Sequence, residues 1–99
     1  MSYDVTIADE EFNYTSNLSR FFSVFGVHPL AHMNGQPAAK VAGLIDSALA
    51  AAAAFDQEEL AAKWDSPNGW GKMRSALPWL ADVRDACRRH PDAVVLAEA

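Results

Sequence analysis

Seven residues, Asp65-Ser66-Pro67-Asn68-Gly69-Trp70-Gly71, lie between two stretches of helical periodicity and constrain the fold more than any other part of the chain. Pro67 pre-sets φ for the first central position of a turn, Asn68 suits the second, and Gly69 frees the exit. The chain must turn here, and Trp70 is held by its neighbours. Gly71 removes a side chain beside the indole where the next helix begins, which opens backbone amides and the ring to an incoming group. That is a geometry for binding rather than for a reaction. The alternative is that Trp70 plugs the core and Asn68-Gly69 merely turns the chain.

A chain of 99 residues is expected to be one domain, residues 1–99, since single cores usually run from about 50 to 200 residues. Hydrophobic residues make up 51%, with three Trp and five Phe, enough to fill a core and too many for a disordered chain. A formal net charge of -5 argues against nucleic acid or an anionic membrane surface as a partner. The carboxylates are scattered apart from Asp9-Glu10-Glu11 and Glu58-Glu59, too thinly for a mimic of DNA. A single cysteine, Cys87, excludes an intrachain disulfide and a cysteine-rich zinc site, and its compartment is expected to be the reducing cytoplasm. Met1-Ser2-Tyr3-Asp4 lacks the basic-then-apolar pattern of a secretory leader, and the longest apolar run, Ala48 to Phe55, is far shorter than a membrane span.

Tyr3, Val5 and Ile7 alternate with Asp4 and Thr6, the period of a strand with one buried face. Ala8 to Asn13 is polar and acidic and reads as a loop. Thr15 or Asn17 then caps a helix whose Leu18, Phe21, Phe22 and Phe25 form a core stripe, and Gly26 ends it. Val27 to Pro37 reads as a connection with at most one helical turn. His28 and His32 have the spacing of a metal pair, but Pro29 interrupts them and no third ligand lies near, so capping or surface roles are expected and no metal. The clearest helix starts at Pro37 or Ala38 and runs to about Phe55, with Val41, Leu44, Ile45, Ala48, Leu49, Ala52 and Phe55 on one face. Asp56 caps a shorter helix, Gln57 to Trp64. After the turn, Met73, Leu77, Leu80, Val83 and Cys87 mark a helix to about Arg89. Pro78 is harmless in its first turn if Ser75 is the cap, with a preceding turn from Lys72. Arg88, Arg89 and His90 suit its negative pole. His90-Pro91-Asp92 breaks it, and Ala93 to Ala97 reads as a second strand. The expected fold is α+β, mainly helical with about four helices, its N- and C-terminal strands paired in a small sheet. An exposed strand edge would allow a homodimer.

Asn13-Tyr14-Thr15-Ser16-Asn17-Leu18, Pro67-Asn68-Gly69-Trp70-Gly71, Ala86-Cys87 and His90-Pro91-Asp92-Ala93 together resemble the motifs of a family of small uncharacterised proteins common in bacteriophage and prophage genomes. That family's pattern is Asn-Ile-Thr-His-Asn-Leu near the start, Pro-Asn-Gly-Trp-Gly in the middle, and Ala-Cys with Pro-Asp-Ala near the end. The chain departs from it at Ser16, where the family has histidine, and at Met73, where an aromatic is usual. The first change removes the one side chain there able to move a proton. The resemblance implies a phage setting, hence a host-cell cytoplasm, and brings no established activity with it.

No paired carboxylate motif, nucleophile elbow, phosphate-binding loop or metal triad stands in the sequence, and Cys87 lies on an inward helix face, so neither an enzyme nor a cofactor is expected. Two binding readings remain. In the first, Trp70 is a stacking platform on the Asn68-Gly69 turn, and Gly71 amides with Lys72 and Arg74 make an electropositive corner. Asn13, Thr15 and Asn17 add polar contacts, and the ligand is a nucleotide-like or phosphorylated small molecule that a phage protein sequesters against host defence. In the second, the chain is an interaction module that binds and modulates a host protein through the acidic loop Asp9 to Glu11 or the helix from Gln57.

Overall fold

The first strand forms where alternation demands it. A computed structural model covering residues 1–99 has β1 at Ser2–Ile7, with Tyr3, Val5 and Ile7 buried and Asp4 exposed between them. The stretch read as a loop is mostly strand: β2, Glu10–Thr15, pairs antiparallel with β1 from Ser2↔Thr15 to Ile7↔Glu10. Phe12 and Tyr14 point to the core while Glu11 and Asn13 face water, so the polar composition concealed a period of two. A two-residue turn, Ala8-Asp9, closes the hairpin, and Ala8 takes φ 54 to do so. β3, Leu96–Glu98, adds antiparallel to the other side of β1, giving the order β2-β1-β3. The terminal strands are paired as expected, but the second lies further along than Ala93 to Ala97. Residues 93–95 instead bond the segment before the long helix: Ala38 N–H donates to Ala93 O at 2.8 Å, Gly35 N–H to Val95 O at 2.8 Å, and Val95 N–H to Gln36 O at 2.9 Å.

A 3-10 turn, Ser16–Leu18, runs into α1, Ser19–Val24, and it is Thr15 rather than Asn17 whose side chain caps the turn, accepting the Asn17 N–H at 3.3 Å. Gly26, at φ +74, ends this segment. Pro29–Met33 makes one π-type turn capped by His28, whose Nδ1 accepts the N–H groups of Leu30 and Ala31 at 3.2 and 3.3 Å. α2, Ala38–Ala52, stops three residues short of the expected Phe55, which is 50% exposed and not on the core face. The chain leaves helix there because Asp56 starts a new one. Its carboxylate accepts the Glu59 N–H at 2.8 Å and the Glu59 carboxylate reaches back to the Asp56 N–H, the reciprocal box that opens α3, Gln57–Trp64. α4, Met73–Arg89, completes the α+β fold.

α2 lays Val41, Ile45 and Ala48 against Ala76, Leu80, Val83 and Cys87 of α4, and both join Phe21, Phe22, Val5 and Ile7 in one buried cluster. Each such large side chain contributes about 1.5–3 kcal/mol by leaving water. Charged groups then fix the elements to one another. Asp46 of α2 accepts from Arg84 at 3.3 Å and Arg88 at 2.7 Å on α4. Glu10 at the start of β2 accepts from Arg89 at 2.5 and 3.1 Å and meets His90 Nε2 at 2.9 Å. The basic end of α4 therefore serves specific partners as well as the helix dipole. No single helix is long and apolar enough to cross a membrane.

Candidate functional site

The loop between α3 and α4 is built as its residue types require. Gly69 N–H donates to Ser66 O at 3.1 Å across a turn centred on Pro67-Asn68, and Ser66 N–H donates to Gly71 O at 3.0 Å. Asn68 ties the turn to itself: its Oδ1 accepts the Ser66 hydroxyl at 2.6 Å and the Trp70 N–H at 2.9 Å. From the other side Asn17 Nδ2 donates to Trp70 O at 2.9 Å. Both backbone polar groups of Trp70 are thus held, while its side chain is 72% exposed. The reading of Trp70 as a core plug is overturned. Trp64 and Trp79 are the indoles that pack, against Phe21 with Phe25 and against Tyr14 with Phe22 respectively.

Gly71 has a different task from the one its place beside Trp70 suggested. At φ +102 its missing side chain faces Thr15 and Leu18, not a ligand: a Cβ there would lie 2.9 Å from Thr15 Cγ2 and 3.2 Å from Leu18 Cγ. Glycine lets the loop press against the end of β2. This contact brings the two halves of the site together, and Asn13, Thr15, Asn17, Asn68 and Trp70 line one open basin of about 730 Å³, together with Met1, Ser2 and Tyr14. The signal for Asn13 and Thr15 was present in their spacing of two, which a strand turns to one face; Asn17 is brought in by the turn that follows. Ser2 joins them only through pairing with Thr15, a register invisible from residue types.

Lys72 and Arg74 do not join this basin. α4 begins at Met73, with Asp65 as the group that receives its first N–H, at 2.7 Å. Ser75 is therefore inside the helix and not its cap; its hydroxyl meets Tyr14 Oη at 2.8 Å. Pro78 falls beyond the first turn, so the Arg74 carbonyl lacks the helical donor it would otherwise have, at an exposed position where water reaches it. Started this way, the helix directs Lys72 and Arg74 to a separate groove of about 510 Å³ between α3 and α4, floored by Leu60, Met73, Leu77 and Pro78 and shared with Glu58 and Asp65. Neither cation makes an ion pair. The positive pole of α4 already holds the Asp65 carboxylate, which occupies the place expected for an anionic ligand.

His28, His32 and Cys87 are engaged within the fold. His28 caps the π-type turn through Nδ1, so its Nε2 carries the proton and donates to Tyr3 Oη at 3.0 Å, and Tyr3 in turn meets Ser19 Oγ. Burial, with the charge of His32 nearby, holds His28 below its usual value of 6.5, in keeping with a neutral ring. His32 Nδ1 accepts the His28 N–H at 3.0 Å. Cys87 is fully buried, and burial pushes its thiol up to about 11. Comparison with protein-family models, with curated proteins and with solved structures found no match to this chain.

Proposed function

We propose that this chain is a small phage-encoded accessory protein that acts by non-catalytic binding of a small molecule on Trp70, sequestering it. The observation that carries the reading is the mounting of that residue. An indole 72% exposed on a backbone clamped by Asn68 and Asn17 is a rigid aromatic platform, and ordering it on binding costs little conformational entropy. No Lys, Arg, Asp or Glu side chain lines the basin, whose one charged group is the Met1 α-amino group, and this favours an uncharged ligand over the phosphorylated one that Lys72 and Arg74 suggested. The buried thiol and the structurally engaged histidines support binding without chemistry. The phage setting rests on the motif resemblance, two parts of which, Asn13–Leu18 and Pro67–Gly71, meet at this basin.

The test is a ligand titration followed by ¹H–¹⁵N correlation spectra, in which the three indole N–H groups are separate reporters and Trp70→Ala assigns the one that matters. Saturable movement of the Trp70 indole and of the Asn17 and Asn68 side-chain amides is expected with at least one small polar ligand. Movement confined to α3 and α4 would transfer the function to the other face. A second reading, the protein-interaction module, is favoured by the α3–α4 groove, whose apolar floor lies between Glu58 at one end and unpaired Lys72 and Arg74 at the other. A partner seated there would be lost from the exposed double variant Lys72→Glu, Arg74→Glu and retained by Trp70→Ala.

A further inference from the structure

We infer that the ligand of the Trp70 basin is a carbohydrate, an uncharged sugar ring stacked on the indole face. This rests on the reading of Trp70 as a binding platform and names the class of molecule that fits it. Three observations converge. The first is the state of the amides. Asn68 is anchored through Oδ1, which accepts from Ser66 and Trp70, and Asn17 through Nδ2, which donates to Trp70 O. Asn13 is anchored through Nδ2, which donates to Ser2 Oγ at 3.1 Å and Asp4 Oδ1 at 2.7 Å. These partners fix which end of each amide is which. Asn68 Nδ2 is left as a free donor, and Asn17 Oδ1 and Asn13 Oδ1 as free acceptors, each without a protein partner. One donor and two acceptors in the lining of one basin suit neighbouring hydroxyls, every one of which both donates and accepts.

The second observation is the charge. The basin has no cationic side chain, and the only charged side chain hydrogen-bonded to a residue lining it is the acid Asp4. A phosphate, and with it a nucleotide or a sugar phosphate, finds no guanidinium or lysine ammonium, only the single α-amino group of Met1 at the rim, and meets a carboxylate nearby. The third is the shape. One exposed aromatic face stands over a wide, open basin of about 730 Å³; the other ring in the lining, Tyr14, is packed against Phe22 and Trp79. A planar base gains most when both faces are covered and one edge is read in plane, whereas a sugar presents partly positive C–H groups to the negative face of one indole and keeps its other side in water. The basin is large enough for one or two rings.

The experiment uses the full chain and its Trp70→Ala and Trp70→Phe variants, whose folding is first checked by unchanged melting. The probes are neutral monosaccharides and their β-linked dimers, including glucose, galactose, mannose and N-acetylglucosamine, with adenosine, guanosine, uridine and glucose 6-phosphate as competitors of other chemistry. At least one neutral saccharide is expected to move the Trp70 indole and the Asn13, Asn17 and Asn68 amide signals saturably, at about millimolar affinity for one ring and tighter for a dimer. Trp70→Phe should weaken this and Trp70→Ala abolish it. Nucleosides that bind where no saccharide does would overturn the carbohydrate assignment and leave the platform standing. Glucose 6-phosphate binding more tightly than glucose would overturn it too, by contradicting the charge argument. Silence from the whole panel, or saccharide binding that survives Trp70→Ala, would overturn both this inference and the site on which it rests.

Discussion

Gly71→Ala tests the contact on which the whole basin depends. Two costs add. At φ +102 an L-residue carries backbone strain of about 1–2 kcal/mol. Its Cβ would also stand 2.9 Å from Thr15 Cγ2, closer than such carbons approach, and a tight 3.2 Å from Leu18 Cγ. Thr15 has little room to yield, because it is β-branched and its Oγ1 already accepts the Asn17 N–H. Relief of such overpacking costs roughly 1–3 kcal/mol, so the sum is about 2–5 kcal/mol. Gly69→Ala is the internal control. It has φ +78 and nothing within 4 Å of its Cβ, so it bears the strain alone, about 1–2 kcal/mol.

Urea unfolding followed by circular dichroism gives both numbers, and thermal melting repeats them. At this size each kcal/mol corresponds to about 4–8 °C in Tm, so Gly71→Ala should melt at least about 10 °C below the wild type and Gly69→Ala less. The Gly71 variant should also shift the Trp70 indole signal, since pushing the loop from Thr15 stretches the bond from Asn17 Nδ2 to Trp70 O. Equal stabilities of the two variants, within about 0.5 kcal/mol, would refute the claim that close approach to β2 is what requires glycine at position 71.

Three further outcomes follow from the packing and the charges. The Arg89 hydrogen bond, with His90 beside it, holds the Glu10 carboxyl below its usual 4.5, so stabilisation by the ionised group is complete above 4.5 and is lost as pH falls through the folded value. Wild type should therefore exceed Glu10→Gln in unfolding free energy near neutral pH, with the gap closing in acid; a gap independent of pH would contradict the assignment. Cys87, buried and with its thiol pushed up to about 11, should react with a thiol reagent only as fast as the protein opens, so its labelling rate should fall with every stabilising variant. Ala8→Gly should raise stability by roughly 0.5–1 kcal/mol, because glycine accepts φ 54 without a Cβ penalty, and denaturant midpoints of the two proteins measure it.

Local chemistry made most of the helices legible. Asp56 with Glu59 announced α3 to the residue, and the Leu18-Phe21-Phe22 stripe gave the buried face of α1. β2 was missed because Asp9-Glu10-Glu11 dominates the local composition, although those acids lie in or beside the turn and at outward positions or in a pair with Arg89. Tertiary pairing chose the strand, which composition over six residues does not report. Phe55 was placed on the core face by extending the period of α2 past Ala52, where the capping demand of Asp56 ends it. For Trp70 the residue types left both a core plug and a stacking platform open: the spacing of Leu60 and Trp64 turned one indole inward, but nothing local chose between Trp70 and Trp79.

The separation of Trp70 from Lys72 and Arg74 turns on a helix start. Successive residues of a helix are rotated by about 100°, so the first helical residue sets where every later side chain points. A cap at Ser75 would leave Lys72 and Arg74 in irregular backbone beside Trp70, free to form an electropositive corner. The start at Met73 instead places Arg74 in the helix and directs it, with Lys72, into the groove against α3. What decides between them is one hydrogen bond, from the Met73 N–H to Asp65, eight residues earlier and on the far side of the Pro67-Asn68 turn. The same bond puts a carboxylate at the positive pole of α4. One contact thus keeps two cations out of the Trp70 basin and sets a carboxylate at the positive pole of α4, and the proposal of an uncharged ligand rests on that.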